Sequence, residues 1–130
     1  MIVEKGVYAR MIAVAGLTNL VPVARIFHEV IDQAAAYPQI AYSRVSTMRH
    51  PAMGANAGVA TARIQINSYA DTALGALEVS EQVRAALSRW NGTAGGVVIQ
   101  AIFDESEHSD YDADIGKHRV ITEFIVWYEE

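Results

Sequence analysis

Between residues 63 and 90 the hydrophobic pattern of the chain changes period once. Arg63-Ile64-Gln65-Ile66-Asn67-Ser68-Tyr69 alternates polar and apolar side chains, the pattern of a strand with one buried face. After Ala70-Asp71-Thr72 the period becomes helical and stays so to Trp90. At ~100° per residue, Ala76, Val79, Ser80, Val83, Leu87 and Trp90 fall on one stripe, with Glu78, Gln82, Ala85 and Arg89 opposite. Asp71 is the expected N-cap, because a short carboxylate accepts from free amides and suits the positive end of a helix.

The rest of the chain must cover these two faces. Val3, Val7, Met11 and Val14 recur at helical spacing, so residues 1–15 read as a first helix ending at Gly16, with Gly6 as a weak point. Residues 17–22 read as a turn, since Pro22 restrains Val21. Residues 24–28 form a short strand candidate, residues 30–37 a loop, and residues 39–46 a second strand. Residues 47–58 show no periodicity and contain His50, Pro51, Gly54, Asn56 and Gly58, so a long mobile connection is expected there. Residues 91–96 read as a flexible turn, 97–103 as a fourth strand and 120–128 as a fifth.

The expected fold is therefore α+β: a single domain with a largely antiparallel five-stranded sheet and two helices, in the order α-β-β-β-α-β-β. The last strand is apolar on both sides, with Val120, Phe124 and Val126 on one and Ile121, Ile125 and Trp127 on the other. One set faces the second helix. The other has to meet the first helix or another subunit. Leu74 and Leu77 lie off the buried stripe of the second helix, with Ala85 nearby, and are candidates for the same kind of contact.

Composition narrows the function classes. The chain has 130 residues, 52% hydrophobic and 19% charged, which suits one globular domain. A formal net charge of -5 argues against nucleic-acid binding through a broad basic face. No cysteine is present, which excludes disulfides, a thiol nucleophile and a zinc-thiolate site. The N-terminal stretch lacks the order of a signal peptide, and no apolar run reaches the ~18 residues that span a bilayer. A soluble protein made in a cytoplasm is expected, and Asn91-Gly92-Thr93 is accordingly set aside as a glycosylation site.

The densest polar feature holds Asp104, Glu105, Glu107, Asp110, Asp112 and Asp114, six of fifteen acids. Asp110, Asp112 and Asp114 imitate the start of a calcium loop. The glycine comes one residue late, at Gly116, and Ile121 stands where a bidentate glutamate is needed. A solvated hairpin tip is the expectation. His28, His50, His108 and His118 form no ligand spacing, no serine sits in a nucleophile elbow, and Gly95-Gly96 is too short for a phosphate loop. No catalytic residue, cofactor site or metal site is expected.

The segment from Arg63 to Thr72, followed by Glu81-Gln82-Val83-Arg84-Ala85-Ala86-Leu87, resembles the tail-completion (tail-terminator) proteins of long-tailed bacteriophages and prophages. Ala15-Gly16-Leu17-Thr18, Arg25-Ile26-Phe27-His28, the strand from Tyr37 to Ser46, Asp110-Tyr111-Asp112 and Val126-Trp127-Tyr128 agree in order. Asn67 departs from the acidic residue the family often carries there. The resemblance implies a non-enzymatic assembly protein with no cofactor. It implies a ring, hexameric on the tail, that caps the tail tube and joins it to the head connector. The partners would be further copies of itself, the tube protein and the connector protein, with DNA only as passing cargo and no membrane. The location would be the virion tail, with assembly in the host cytoplasm. An acidic tip turned towards the channel would keep DNA from sticking. The competing expectation is a small α+β enzyme or ligand-binding domain with a pocket between helix and sheet.

Overall fold

A computed structural model of the chain describes residues 2–52 and 55–130. Its elements are α1 (Val3–Ile12), α2 (Ala15–Thr18), β1 (Ile26–His28), β2 (Gln39–Ala52), β3 (Ala55–Ala70), α3 (Ala73–Leu87), β4 (Gly92–Ala94), β5 (Val97–Asp112) and β6 (Lys117–Glu129). A 3-10 turn, Val23–Arg25, leads into β1. The strands form one sheet in the order β1-β2-β3-β6-β5-β4. Among the described residues only β1 and β2 run parallel; every other pair of neighbours is antiparallel.

The class is the expected α+β, but with six strands and three α-helices rather than five and two. The additions are short: α2 takes up part of the expected turn after α1, and β4 lies inside the expected turn at residues 91–96. That segment is a tight hairpin. Ala94 pairs with Val97, and Gly95 and Gly96 between them both take positive φ, 57° and 76°. Two such residues in succession form the hairpin turn whose twist matches that of its strands.

The larger correction concerns strand length. Residues 47–58 are largely strand. β2 continues to Ala52 and β3 begins at Ala55, with Pro51 opposite Asn56 in the register. His50, Pro51, Asn56 and Gly58 thus belong to a long hairpin, and Gly54 lies outside the described residues. Likewise the acidic segment is the outer half of β5, paired with β6 as far as Asp112 and Lys117. Pairing supplies the backbone hydrogen bonds here, so regular structure persists where hydrophobic periodicity has stopped.

One face of the sheet is covered by α1 and α3. Along β6, Val120, Thr122, Phe124, Val126 and Tyr128 point to this face and are at most 1% exposed. Ile64 and Ile66 of β3 join them, with Val79, Val83, Ala86 and Leu87 of α3 and Val3, Val7 and Met11 of α1. The sheet curls around α1, which meets the β4–β5 hairpin at one end of the strand order and stacks Tyr8 on Tyr42 of β2 towards the other. Gly6 makes the hairpin contact possible: a Cβ there would lie 3.0 Å from that of Val97. Its helix-weakening backbone is offset by this close approach.

The expected stripe of α3 is buried, with Trp90 partly so. The cap is Thr72 rather than Asp71. Thr72 has extended φ and ψ, and its Oγ1 accepts a hydrogen bond from the Gly75 amide at 2.9 Å. Asp71 is drawn sideways to Lys117 at the start of β6.

Candidate assembly surfaces

The covered face packs tightly at its centre. Its interior is filled by side chains that are fully buried or nearly so, among them Tyr128, Phe124, Ile64 and Leu87. Open depressions remain where α3 meets the helix side of β5 and β6. One of about 310 Å³ lies over Arg84, Asp104, Glu105, Ser106, Glu107 and Thr122. Among the described residues, no group of three or more histidine, aspartate and glutamate side chains could hold a metal ion.

On the opposite, open face, β6 presents Ile121, Ile125 and Trp127. Ile121 is only 9% exposed and offers little surface. Ile125 and Trp127 are partly exposed, and Trp127 is stacked by His50 with ring centroids 5.1 Å apart. Register extends this band across the sheet. Phe103 lies beside Ile125, and Thr61 beside Trp127 with Met48 next to it. Phe103 is 50% exposed and Met48 64%. Neither was legible as a surface candidate. A register shift between Ile99 and Ala101 changes the parity of β5, so Ile99 and Ile102 both face the core and Phe103 turns outward. A three-residue spacing of buried isoleucines inside a strand is the one sequence signal of such a bulge.

Leu74, Leu77 and Ala85 are exposed on α3, as expected, with Leu74 at 72%. Leu77 lines a depression between α3 and β5–β6 with Ala76, Ser109 and Val120. Leu74, Leu77 and Ala85 all lie on the helix side of the sheet, not in the open-face band. The two groups of apolar candidates are therefore separate surfaces.

The acidic residues of β5 divide between the faces. Asp104 pairs with Arg84 of α3 at 3.1 Å, and Glu107 accepts from the Ser80 hydroxyl at 2.5 Å, both on the helix side. Glu105 pairs with Arg63 at 2.6 Å and Asp110 with Arg119 at 2.5 Å on the open side. The Arg119 hydrogen bond holds the Asp110 carboxyl below the usual carboxylate range. Asp112 is 3.9 Å from the Arg119 guanidinium. Asp114 lies past the strand end, in the turn, where its amide donates to Asp112. The expected solvated tip is thus confined to the turn, and the rest is an ion-paired strand. His108 is exposed, opposite Ile121. The His28 ring lies tilted against Tyr42, and His118 meets Tyr111 edge-on.

Apolar groups gathered on outer surfaces suit a protein that acts by contact. The chain matches the family described as Tail completion protein gp17 over residues 5–129, and it belongs to that family of phage tail completion proteins. These are structural phage proteins, not enzymes. No curated protein shows significant sequence similarity to the chain. In fold it is similar to a solved chain from a structure titled "Virion of native gene transfer agent (GTA) particle", with a TM-score of 0.79 at 15% identity, covering 96% of this chain and 92% of that one.

Proposed function

We propose that this protein caps the finished tail tube and forms the surface that joins the tail to the head connector, acting as a hexameric ring in the virion tail after assembly in the host cytoplasm. The observation that carries this reading is the tail completion match along nearly the whole chain. Two separate apolar surfaces support it, because a protein that joins a tube to a connector has to make more than one contact. In this reading Leu74, Leu77 and Ala85 belong to one contact, and Ile125 and Trp127 with Phe103 to another. The tube protein and the connector are the partners, and DNA is passing cargo.

The test is a phage or prophage lacking the gene. Tails of uncontrolled length, or tails that fail to join heads, are the expected result. Normal tails that join heads efficiently would refute the role. Complementation with Leu74→Asp and Leu77→Asp together separates the role from the assignment: if this variant alone restores joining, the role stands and the α3 contact falls.

A further inference from the structure

The sheet ends in two unpaired edges of opposite character. On one side β1 pairs with β2 only along residues 40–42, which leaves the outer edge of residues 43–52 without a partner strand among the described residues. On the other side β4 pairs with β5 only along residues 97–99, and the Arg89 amide takes the Ile102 carbonyl at 2.7 Å. From residue 103 to residue 112 the outer edge of β5 is likewise without a partner strand among the described residues.

The two edges complement one another. The β2 edge carries Arg44 and Arg49 and no acid, whereas the β5 edge carries Asp104, Glu105, Glu107, Asp110 and Asp112 and no Lys or Arg. Arg44 and Arg49 already hold Glu4 and Glu130 within the subunit, so this complementarity selects an orientation more than it supplies affinity. Exposed apolar side chains stand on the same edges: Val45 and Met48, 51% and 64% exposed, on β2, and Phe103 and Tyr111, 50% and 56%, on β5. Register shifts after Arg44 and Arg49 on β2, and after Asp104 on β5, discourage indiscriminate edge pairing. Two β5 edges would also repel each other.

We infer that the β2 edge of one subunit pairs with the β5 edge of the next copy of this chain, so that the sheet continues from subunit to subunit around the ring. This rests on the ring reading above. Within one sheet β2 and β5 run in opposite directions, so a neighbour related by rotation about an axis roughly along the strands presents an antiparallel edge. The free parts lie towards opposite ends of the sheet: Ser46 and Phe103 stand at about the same level. Full pairing therefore needs a stagger of roughly six residues, about 20 Å at ~3.3 Å per residue. Six strands at ~4.8 Å are about 29 Å wide, so the required strand tilt is about 35°, close to the ~35–45° at which closed barrels accommodate their stagger.

The chain has no cysteine, so an introduced pair reports on one contact alone. Tails are assembled with Ser46→Cys and Ser109→Cys together, or with either alone, and treated with a flexible bis-maleimide. Circular dichroism of each purified variant checks folding. The double variant is expected to give a ladder of covalent multimers, and the single variants none. Rings visible on the tails by electron microscopy without a ladder would overturn the edge pairing and leave the ring reading intact. Tails bearing no ring would overturn both. A sign test follows. Val45→Asp with Met48→Asp, in the double-cysteine background, is expected to lower the ladder about tenfold. Val45→Lys with Met48→Lys is expected to keep it within about twofold. Equal loss in both would show that the β5 acids are not opposite this edge.

Discussion

The two halves of β5 are held in the sheet by different physics. From Val97 to Ile102 the strand lies under α1 and α3, with Val97, Ile99 and Ile102 at most 2% exposed. From Phe103 to Tyr111 every residue is exposed, yet pairing with β6 continues to Asp112. The inner half is fixed by burial of apolar surface, which is large and hardly sensitive to salt. The outer half is fixed by backbone pairing and by charge contacts to Arg63, Arg84 and Arg119, which are individually small and screened by salt. A strand of this length need not be uniformly stable, and the outer half is the part available to a partner.

Removing core volume should be the largest effect. Phe124→Ala empties a fully buried site on β6 and should cost about 3–5 kcal/mol in urea titration. A loss under about 1 kcal/mol would mean that the helix layer is not packed on this face.

The turn that joins β4 to β5 gives the next largest effect. Gly95 has a φ of 57°, and a Cβ there would stand 2.4 Å from the Lys5 carbonyl oxygen. Gly95→Ala should therefore cost at least ~1–3 kcal/mol by the same titration, because α1 must back away from the hairpin. Gly96 also has positive φ but meets nothing within 4 Å, so Gly96→Ala should cost less and separate strain from clash. Equal costs would rule out the close approach of α1.

At the start of α3, Thr72→Ala should cost about 1 kcal/mol of stability through loss of the cap hydrogen bond, while Asp71→Ala should leave the cap intact. The reverse ranking would restore Asp71 as the cap.

Charge should matter least for stability, and only in the outer half. Arg119→Ala should cost well under about 1 kcal/mol, since the Asp110–Arg119 pair is partly exposed and water screens it. Its signature is pH dependence. Asp110 titrates below its unfolded value because Arg119 donates to it, so the pair contributes fully above the ordinary carboxylate range. That contribution is lost as pH falls through the lower folded pKa. Amide exchange in residues 103–112 should therefore quicken relative to residues 97–102 on acidification below about pH 4, or in molar salt at neutral pH. Uniform quickening along β5 would erase the distinction between its halves.

What the amino-acid sequence determined by itself is the apolar framework. Alternation over residues 63–69 and the stripe from Ala76 to Leu87 are imposed by side-chain geometry on strand and helix, so both were legible and both are buried as expected. The two-sided apolar character of β6 was legible for the same reason, as were Leu74 and Leu77 outside the stripe. Tertiary structure decided what periodicity does not encode. Residues 47–52 and 104–112 are strands because neighbouring strands satisfy their backbone, whatever their side chains are. Thr72 caps α3 because Lys117, distant in sequence, engages Asp71. Phe103 faces outward because a bulge two residues earlier reverses the parity of β5. The division of the acidic residues between two faces, and the two unlike edges, likewise depend on strand order and register, which are set by contacts between segments far apart in the chain.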